Sequence, residues 1–418
     1  MNGHKLAIAS VSLGWHETHT LLDKADAAAK HGFQGIELVY GDLEKAAVSA
    51  GQSLEAYAAL FRGHCDKLGL SIISLAPLEN WEGSPLPLAQ RLRTAVEWMR
   101  IARIVGAGIL QVPATFNTAS LLVSEDEIVN ELRLLADCGL PRPGSDEATI
   151  EIGYEPLSWS VRSDTWQHAL YIKRRVGRPN FKLCLDTYHI LTKLWGDCTA
   201  ADGRIPNGDA ALKASLFETL RSMRAEDVSF VQLSDAALAQ PPVTFTQLEE
   251  AGQHQAFYWS ARGRVFPYQE ELGAYLPMTD IIRTWLVELG WKGWVSMEIF
   301  HSSMSEPSRG PGYWAHSGRK SWDRVLAEMA KTTPKAPKDV LSKVWDRKPF
   351  EYDEIDVMET GKKQWKDLYE FDTPVVHVDR KPGFKPIGET TAKARKLMHR
   401  FTEAEVEFAM KDVEREDQ

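Results

Sequence analysis

Eight short apolar runs, separated by longer amphipathic segments, recur along about the first 330 residues of this chain. Each run is rich in Val, Ile, Leu and Phe, as is typical of parallel strands that are buried on both faces. The predicted strands cover residues 5–13, 35–40, 70–77, 108–113, 150–155, 182–186, 228–233 and 294–299. Eight strands alternating with helices favour a closed (β/α)8 TIM barrel over an open doubly wound sheet.

The segments between the runs carry helical patterns. Helices are predicted over residues 19–31, 54–68, 88–105, 164–176, 210–224 and 278–289. The first three are followed by Gly32, Gly69 and Gly106, and a glycine just past a helix supplies the left-handed residue that ends it. No glycine-rich phosphate-binding pattern follows a strand, so the usual mark of a dinucleotide site is missing.

The longest interruption, residues 236–277, lies between the seventh and eighth predicted strands. It contains FYWSARGRVFPYQEELGAYLP, which is dense in aromatic residues, arginine and glycine. Loops at the carboxyl ends of barrel strands form the active site in such folds. We therefore expect a lid or a substrate-facing wall here, with an ordinary ordered surface loop as the alternative.

The composition changes from Lys331 onwards. KTTPKAPKD resembles a linker, residues 353–385 mix both charges without a clear period, and residues 389–414 are predicted to form a charged helix. The apolar content is too low for an independent core. We expect a barrel domain over residues 1–330 and a charged extension over 331–418. The extension either packs on the barrel, joins subunits of a homo-oligomer, or stays partly disordered.

Bulk properties restrict the partners. A formal net charge of -9 disfavours nucleic acid and anionic membranes, and no apolar run reaches the length of about 18 residues needed to span a bilayer. The amino terminus lacks the pattern of a signal peptide. Four scattered cysteines without a CxxC pair indicate a reducing, cytoplasmic setting. The expected partner is a small-molecule substrate.

Four oxygen-bearing side chains stand near the ends of four successive predicted strands: Glu155, Asp186, Gln232 and Glu298. In a closed parallel barrel these ends converge on one point. Three carboxylates and an amide oxygen suit a hard divalent cation such as Mn²⁺ or Mg²⁺, with Co²⁺ or Zn²⁺ as alternatives. Such a site can polarise a carbonyl or hydroxyl group of a substrate. Taken singly, each of these residues is equally well explained as a helix cap or a member of an ion pair.

Two further residues are candidates for acid–base chemistry. His189 follows Asp186 by three residues, a spacing that brings an imidazole beside the metal as a further ligand or as an acid–base group. The alternative is a histidine hydrogen-bonded within the following helix. Glu37, at the end of the second strand, is either an acid–base group or a structural carboxylate. His19, in the loop after the first strand, faces either the cleft or solvent.

The long loop supplies candidates for substrate binding. Arg262 and Arg264 would form bidentate hydrogen bonds with a substrate carboxylate if the loop folds inwards. A solvated or structural role accounts equally well for Arg262. Trp259, in the same aromatic segment, is a further candidate for contact with the substrate.

Several segments, in order, carry a resemblance that spans about residues 4–330: LAIASVSLG, GFQGIELVYGDL, GYEPLSW, RPNFKLCLDTYHI, YWSARGRVF and GWVSMEIF. The chain resembles the xylose isomerase-like TIM-barrel superfamily and, within it, the fungal type of 3-dehydroshikimate dehydratase. The resemblance implies that Glu155, Asp186, Gln232 and Glu298 match divalent-metal ligands. It also implies that His189 matches the histidine after the ligand aspartate, and that Arg264 matches an arginine of the substrate loop.

The implied reaction converts 3-dehydroshikimate to protocatechuate. A proton α to the ketone is removed, the metal stabilises the developing enolate, and hydroxide leaves. Sugar isomerases and epimerases of the superfamily share the proton transfer and form the alternative function. A non-catalytic scaffold is a further alternative, whereas the DNA-repair endonucleases of the superfamily need more histidines and a basic surface.

One segment departs from the dehydratase pattern. Where those enzymes carry an arginine in a segment similar to QPFRDFEG, this chain has APLENWEG, with Glu79 at the arginine position. Position 261 is alanine where related loops often have arginine. A carboxylate at Glu79 would repel an anionic substrate by about a few kcal/mol unless it is turned away or paired. Glu79 is therefore a candidate for determining which substrate binds.

Overall fold

The computed structural model describes residues 3–142, 144–331, 341, 344–348, 350, 375–378, 394–398 and 403–415. The chain divides into two compact units, Met1–Met329 and Ala330–Gln418. Each unit is described by itself.

Eight parallel strands close into a barrel in the first unit. The strands are β1 (Lys5–Ala9), β2 (Gly35–Val39), β3 (Ser71–Ala76), β4 (Ile109–Pro113), β5 (Glu151–Glu155), β6 (Phe181–Asp186), β7 (Val228–Leu233) and β8 (Trp294–Met297). Each strand pairs with the next along the chain, and β8 pairs with β1 to close the cylinder. The predicted (β/α)8 barrel is confirmed.

Helices surround the strands. They are α1 (Leu21–Lys30), α2 (Tyr40–Ser49), α3 (Leu54–Leu68), α4 (Leu88–Val105), α5 (Glu125–Cys138), α6 (Trp166–Val176), α7 (Thr187–Leu194), α8 (Gly208–Ser222), α9 (Phe245–Ala251), α10 (Gln255–Gly263), α11 (Met278–Arg283) and α12 (Pro311–Lys331). One π-helical turn, Thr284–Glu288, continues α11. Within the described part of the chain, no helix combines the length and apolarity that crossing a membrane requires.

The helix ends follow their sequence signals. Ser53 caps α3 by accepting a hydrogen bond from the Ala56 amide, and Thr20 caps α1 in the same way. Gly69 and Gly106 adopt left-handed conformations, with φ of 67° and 81°, directly after α3 and α4. The predicted glycine stops are confirmed at these positions, because a Cβ would disfavour that backbone conformation.

Two predictions on the carboxyl side of the barrel were wrong. One concerns where the first strand ends, and the other concerns the interval 236–277. The first strand ends at Ala9, because Ser10–Leu13 turn into a short 3₁₀ helix. The Ser10 hydroxyl donates to Asp42 at 2.7 Å and accepts from the Val39 amide at 3.0 Å, so a side chain replaces the strand ladder there. The interval 236–277 is not one loop, since it contains α9 and α10.

The inner face of the barrel changes from apolar to polar along the strands. Ala7, Ile73, Ile109, Cys184 and Phe230 form a buried cluster inside the cylinder. Inward side chains recur at every second residue of a strand. The inward positions that follow Cys184 and Phe230 are therefore the candidate ligands Asp186 and Gln232. The apolar half of the interior thus supports a polar layer at the carboxyl end.

The second unit contains two strands that the sequence analysis did not predict and a helix that lies largely within a predicted one. Strands Val375–Val378 and Arg395–Met398 pair antiparallel, and a helix spans Glu403–Arg415. The predicted helix over residues 389–414 was therefore wrong at Arg395–Met398. Leu341, Val344 and Val406 form a small buried cluster, and the expected role of residues 331–418 stays a prediction.

Candidate metal centre

The four candidate ligands lie at one level of the barrel. Glu155 and Asp186 are the last residues of β5 and β6, and Gln232 pairs with Asp186 across β6 and β7. Glu298 follows the last residue of β8. The first three are at most 3% exposed, and the Glu298 side chain is 12% exposed. One atom, Arg264 Nη2, contacts both Asp186 Oδ2 and Glu298 Oε2, which places Glu298 beside the other candidate ligands.

His189 joins this layer from α7. Asp186 caps α7 by accepting a hydrogen bond from the Tyr188 amide at 2.8 Å, which fixes the first helical turn beside the strand end. The Nε2 atom of His189 lies 3.3 Å from Glu155 Oε1 and 3.5 Å from Asp186 Oδ2. One ligand atom from each of these three residues lies within 4.8 Å of the other two. This trio could hold a cation.

The hydrogen bonds of His189 determine where its proton resides. The backbone amide of Ser158 donates to Nδ1 at 3.2 Å, so Nδ1 carries a lone pair. Burial lowers the pKa of His189 to about 3, which keeps the ring neutral. In the neutral ring the single proton is then on Nε2, which faces the carboxylates. This arrangement favours His189 as a hydrogen-bond donor, because direct metal ligation through Nε2 would require the proton to move to Nδ1.

Arg264 lies within the carboxylate layer. It begins a two-residue strand, Arg264–Val265, that pairs with Asp235–Ala236 and with Phe300. Its Nη2 contacts Asp186 Oδ2 and lies 2.8 Å from Glu298 Oε2. Its guanidinium carbon is 5.0 Å from the centroid of the Tyr188 ring. The expected inward orientation of this arginine is present, and its partners here are the candidate ligands themselves.

Glu37 is completely buried in the middle of β2 rather than at its predicted end, and it accepts a hydrogen bond from Gln232 Nε2 at 2.8 Å. Burial, followed by the charge of Glu298, raises the pKa of Glu37 well above its ordinary value. As a carboxylate Glu37 would leave Oε2 without a donor. As a carboxylic acid it can donate to Glu298, a hydrogen bond that lowers the pKa of Glu298. Burial and the neighbouring carboxylates thus both shift the pKa of Glu37 in the direction that favours its protonated form.

The charge balance of the layer is suited to an added cation. Burial raises the pKa of Glu155 to about 7 and that of Glu298 to about 8, although Arg264 lowers both. Glu37, Glu155, Asp186 and Glu298 bring four buried carboxyl groups against one guanidinium. Carboxylate and amide oxygens are the donors that Mg²⁺ and Mn²⁺ prefer. The residues present therefore fit a divalent metal ion.

Two neighbouring residues extend the layer towards the loop after β3. Gln111 on β4 donates from Nε2 to Glu155 Oε2 and was missed by the sequence analysis, although a lone glutamine in the apolar run GILQVP was an available signal. The Leu78 amide donates to the Gln111 carbonyl at 3.0 Å, which places Glu79 next to this pair. Glu79 is exposed, yet partial burial raises its pKa, and its charge contributes to the raised pKa of Glu155. Glu79 thus acts electrostatically on the candidate site.

Three half-buried aromatic rings from three separate segments extend from His189. The Trp159 ring centroid is 4.6 Å from that of His189 and 5.1 Å from that of Phe257, which stacks on Phe116 at 6.1 Å. We call Trp159, Phe257 and Phe116 the aromatic wall. Sequence reasoning identified the aromatic loop but none of these three residues, because the wall forms only when the loops after β4 and β5 meet α10.

The remaining predicted site residues lie elsewhere. Trp259 is buried and donates from Nε1 to the Ala237 carbonyl at 2.9 Å. This hydrogen bond joins two parts of the interval 236–277. Arg262 is exposed, with its guanidinium carbon 3.8 Å from the centroid of the Tyr258 ring. His19 is buried against Gly14 and Gly310, in the segments after β1 and β8. The structure does not bring Trp259 or Arg262 into the carboxylate layer, and the substrate-binding roles of all three residues stay predictions.

Comparison with known proteins identifies the fold family. The family model described as "Xylose isomerase-like TIM barrel" matches residues 25–325. The chain belongs to the xylose isomerase-like TIM-barrel family. It is 34% identical over 345 residues to a 3-dehydroshikimate dehydratase from Neurospora crassa, an alignment that covers 78% of this chain and 94% of that protein. The predicted resemblance is confirmed.

Two further proteins that are similar to this chain are longer than it is. A 3-dehydroshikimate dehydratase from Pseudomonas putida is 28% identical over 305 residues, which cover 72% of this chain and 39% of that protein. The solved structure of a xylose isomerase-like TIM barrel/4-hydroxyphenylpyruvate dioxygenase fusion protein superposes with a TM-score of 0.60 at 24% identity. That alignment covers 80% of this chain and 45% of the fusion protein. This structural likeness shows the barrel fold alone.

Proposed function

We propose that this protein is a divalent-metal-dependent lyase that converts 3-dehydroshikimate to protocatechuate. The observation that carries the proposal is the convergence of the Glu155 and Asp186 carboxylates with the imidazole of His189, whose polar atoms lie within 4.8 Å of one another at the carboxyl end of the barrel. The relative from Neurospora crassa, which bears the dehydratase name and aligns over 94% of its length, supports the choice of reaction.

Glu155, Asp186, Gln232 and Glu298 would hold the metal, with Mn²⁺ or Mg²⁺ as the expected ion because every donor is an oxygen. When bound, the metal supplies Lewis-acid polarisation of the substrate ketone, which acidifies the adjacent C–H bond. The substrate oxygens would enter from the open carboxyl face of the barrel, beside the aromatic wall.

The protein residues would then manage the protons. The Nε2–H of His189 would donate a hydrogen bond to the substrate oxygen on which negative charge develops. A carboxylate of the layer would accept the proton removed from the carbon α to the ketone, and Glu37, which shares hydrogen bonds with Gln232 and Glu298, would hold a proton in reserve. Return of one proton to the departing hydroxide completes the loss of one water molecule, and a further proton shift from the ring CH2 group to the ketone oxygen gives the aromatic product. The enzyme regains its starting protonation state.

The decisive experiment incubates the purified protein with 3-dehydroshikimate after EDTA treatment and after the addition of Mn²⁺ or Mg²⁺. We expect protocatechuate, detected by its ultraviolet absorbance and by mass spectrometry, only when the metal is present. Glu155→Gln and Asp186→Asn should abolish turnover and remove the rise in Tm that Mn²⁺ gives the wild type.

Glu151→Gln is the matched control, because Glu151 begins the strand that Glu155 ends and pairs with Lys182 at the opposite end of the barrel. This variant should retain turnover and the Mn²⁺-dependent rise in Tm. Absence of protocatechuate at every pH and with both metals would overturn the dehydratase proposal. Ketose sugars would then be tested for epimerisation, the alternative reaction of the fold family.

A further inference from the structure

The position of Arg264 depends on a sheet made of two-residue strands. Its backbone belongs to the two-residue strand Arg264–Val265, which pairs with Asp235–Ala236 and with Phe300. The side chain reaches the ligand layer from there, and its Nε donates to Ser234 Oγ at 2.8 Å. The Leu238 amide also donates to the Gly273 carbonyl at 2.9 Å, and Val265 and Phe266 are fully buried. A further anchor holds residues 264–276 beside β7.

Asp235 provides that anchor. Its carboxylate accepts hydrogen bonds from four backbone amides: Ala236 at 2.8 Å, Leu276 at 2.9 Å, Tyr275 at 3.2 Å and Tyr268 at 3.3 Å. These amides belong to the two-residue strand Asp235–Ala236 and to two separate turns, at Tyr268 and at Tyr275–Leu276. One side chain therefore ties three points of the chain together.

The burial of the Asp235 carboxylate is energetically unfavourable, which indicates that its hydrogen bonds have a structural or functional role. Asp235 is 1% exposed, and burying a carboxylate is unfavourable unless hydrogen bonds compensate. Burial raises the pKa of Asp235 to about 7, and the four amide hydrogen bonds oppose that rise. Tyr268, one of the donors, has a positive φ of 59°, a conformation that a non-glycine residue adopts only when its surroundings stabilise it.

We propose that Asp235 is a positioning residue of the metal centre, which fixes residues 264–276 and through them the guanidinium of Arg264 between Asp186 and Glu298. Asp235 touches neither the candidate ligands nor the aromatic wall in the described contacts. Its effect on catalysis therefore passes through the backbone of residues 264–276 and through the adjacent Ser234, whose hydroxyl donates to Asp186 Oδ1 at 3.2 Å. The catalytic consequence rests on the proposed function, whereas the effect on Arg264 does not.

Asp235→Asn is the test variant, because asparagine keeps the size of the side chain. Its NH2 group, however, would face at least one of the backbone N–H groups that now donate to the carboxylate. Asp227→Asn is the matched control. Asp227 is also a buried aspartate, lies just before β7 rather than just after it, and pairs with Lys173 at 2.9 Å. Both variants lose a buried charge, but only Asp235 lies at the end of the barrel that carries the ligands.

Hydrogen–deuterium exchange tests the positioning without reference to activity. We expect Asp235→Asn to accelerate exchange at residues 264–276 and also at residues 187–190 of α7. This first turn of α7 contacts Arg264 through Tyr188, and Thr187 exchanges two hydrogen bonds with the backbone of Ser234, the residue before Asp235. Asp227→Asn should leave both segments unchanged. Acceleration confined to residues 264–276, or absent altogether, would overturn the proposal.

Turnover of 3-dehydroshikimate tests the catalytic consequence. We expect Asp235→Asn to lower kcat/KM by about 10- to 100-fold at a temperature where the variant is folded, and Asp227→Asn to change it less than threefold. In the Arg264→Lys background, Asp235→Asn should lower kcat/KM little further, because both substitutions act through the position of the Arg264 guanidinium. Fully multiplicative losses would refute the coupling. If the wild type produces no protocatechuate, the proposed function fails and the exchange experiment alone decides the role of Asp235.

Discussion

Glu82 should make the stability of the barrel depend on pH in a predictable direction. Its side chain is completely buried in the segment after β3, where Oε1 accepts hydrogen bonds from the Thr115 amide at 2.7 Å and from the Tyr154 hydroxyl at 3.1 Å. Oε2 has no hydrogen-bond partner. Burial raises the pKa of Glu82 from its ordinary value of 4.5 to about 7, although these hydrogen bonds oppose the rise.

The sign follows from proton linkage. Between pH 4.5 and 7 the folded protein keeps a proton on Glu82 that the unfolded chain has released, so the folded state binds more protons and the free energy of unfolding falls as pH rises. The contribution is complete below the unfolded pKa and is lost as pH passes the folded pKa. A difference of about 2.5 pKa units corresponds to about 3 kcal/mol.

Glu82→Gln removes the titration but keeps an oxygen that can accept both hydrogen bonds. Urea denaturation of the wild type and the variant, followed by tryptophan fluorescence in the presence of EDTA, measures the free energy of unfolding at pH 5 and pH 8. We expect the stability of the variant relative to the wild type to increase by about 3 kcal/mol between these pH values. Equal differences at both pH values would refute the raised pKa.

Three further predictions concern single positions. Gly35→Ala should lower the free energy of unfolding by about 1–3 kcal/mol in urea denaturation, because a Cβ there would lie 2.8 Å from Ile73 and 2.9 Å from Trp294; a change below 0.5 kcal/mol would contradict the close packing. Glu79→Gln should raise kcat/KM for the anion 3-dehydroshikimate by about 3- to 10-fold, because a carboxylate that acts on Glu155 also repels an anionic substrate. An unchanged kcat/KM would count against that repulsion. Trp159→Ala should raise KM by about tenfold in steady-state kinetics, because the aromatic wall loses the ring that contacts His189, whereas an unaltered KM would remove the wall from the binding site.

The sequence was sufficient for the barrel and for the positions of its candidate ligands. Apolar runs at regular intervals specify buried parallel strands, and the last inward residue of such a strand can face only the mouth of the cylinder. Asp186 and Gln232 could therefore be assigned to one layer from their positions in two runs, without knowledge of any loop. The glycines after α3 and α4 were equally readable, because their backbone conformation is a local property.

The surroundings of the ligands could not be read in the same way. The contact of Arg264 with Asp186, the hydrogen bond from Gln111 to Glu155 and the aromatic wall all join residues that are at least 44 positions apart. The proton on His189 Nε2 follows from a single amide, that of Ser158, which no spacing rule predicts. Periodicity fixes which face of a strand a residue occupies, and so the sequence determined the ligand layer. Contacts between loops depend on how independent segments pack against one another, and so only the tertiary structure decided the charge balance and the hydrogen bonds around that layer.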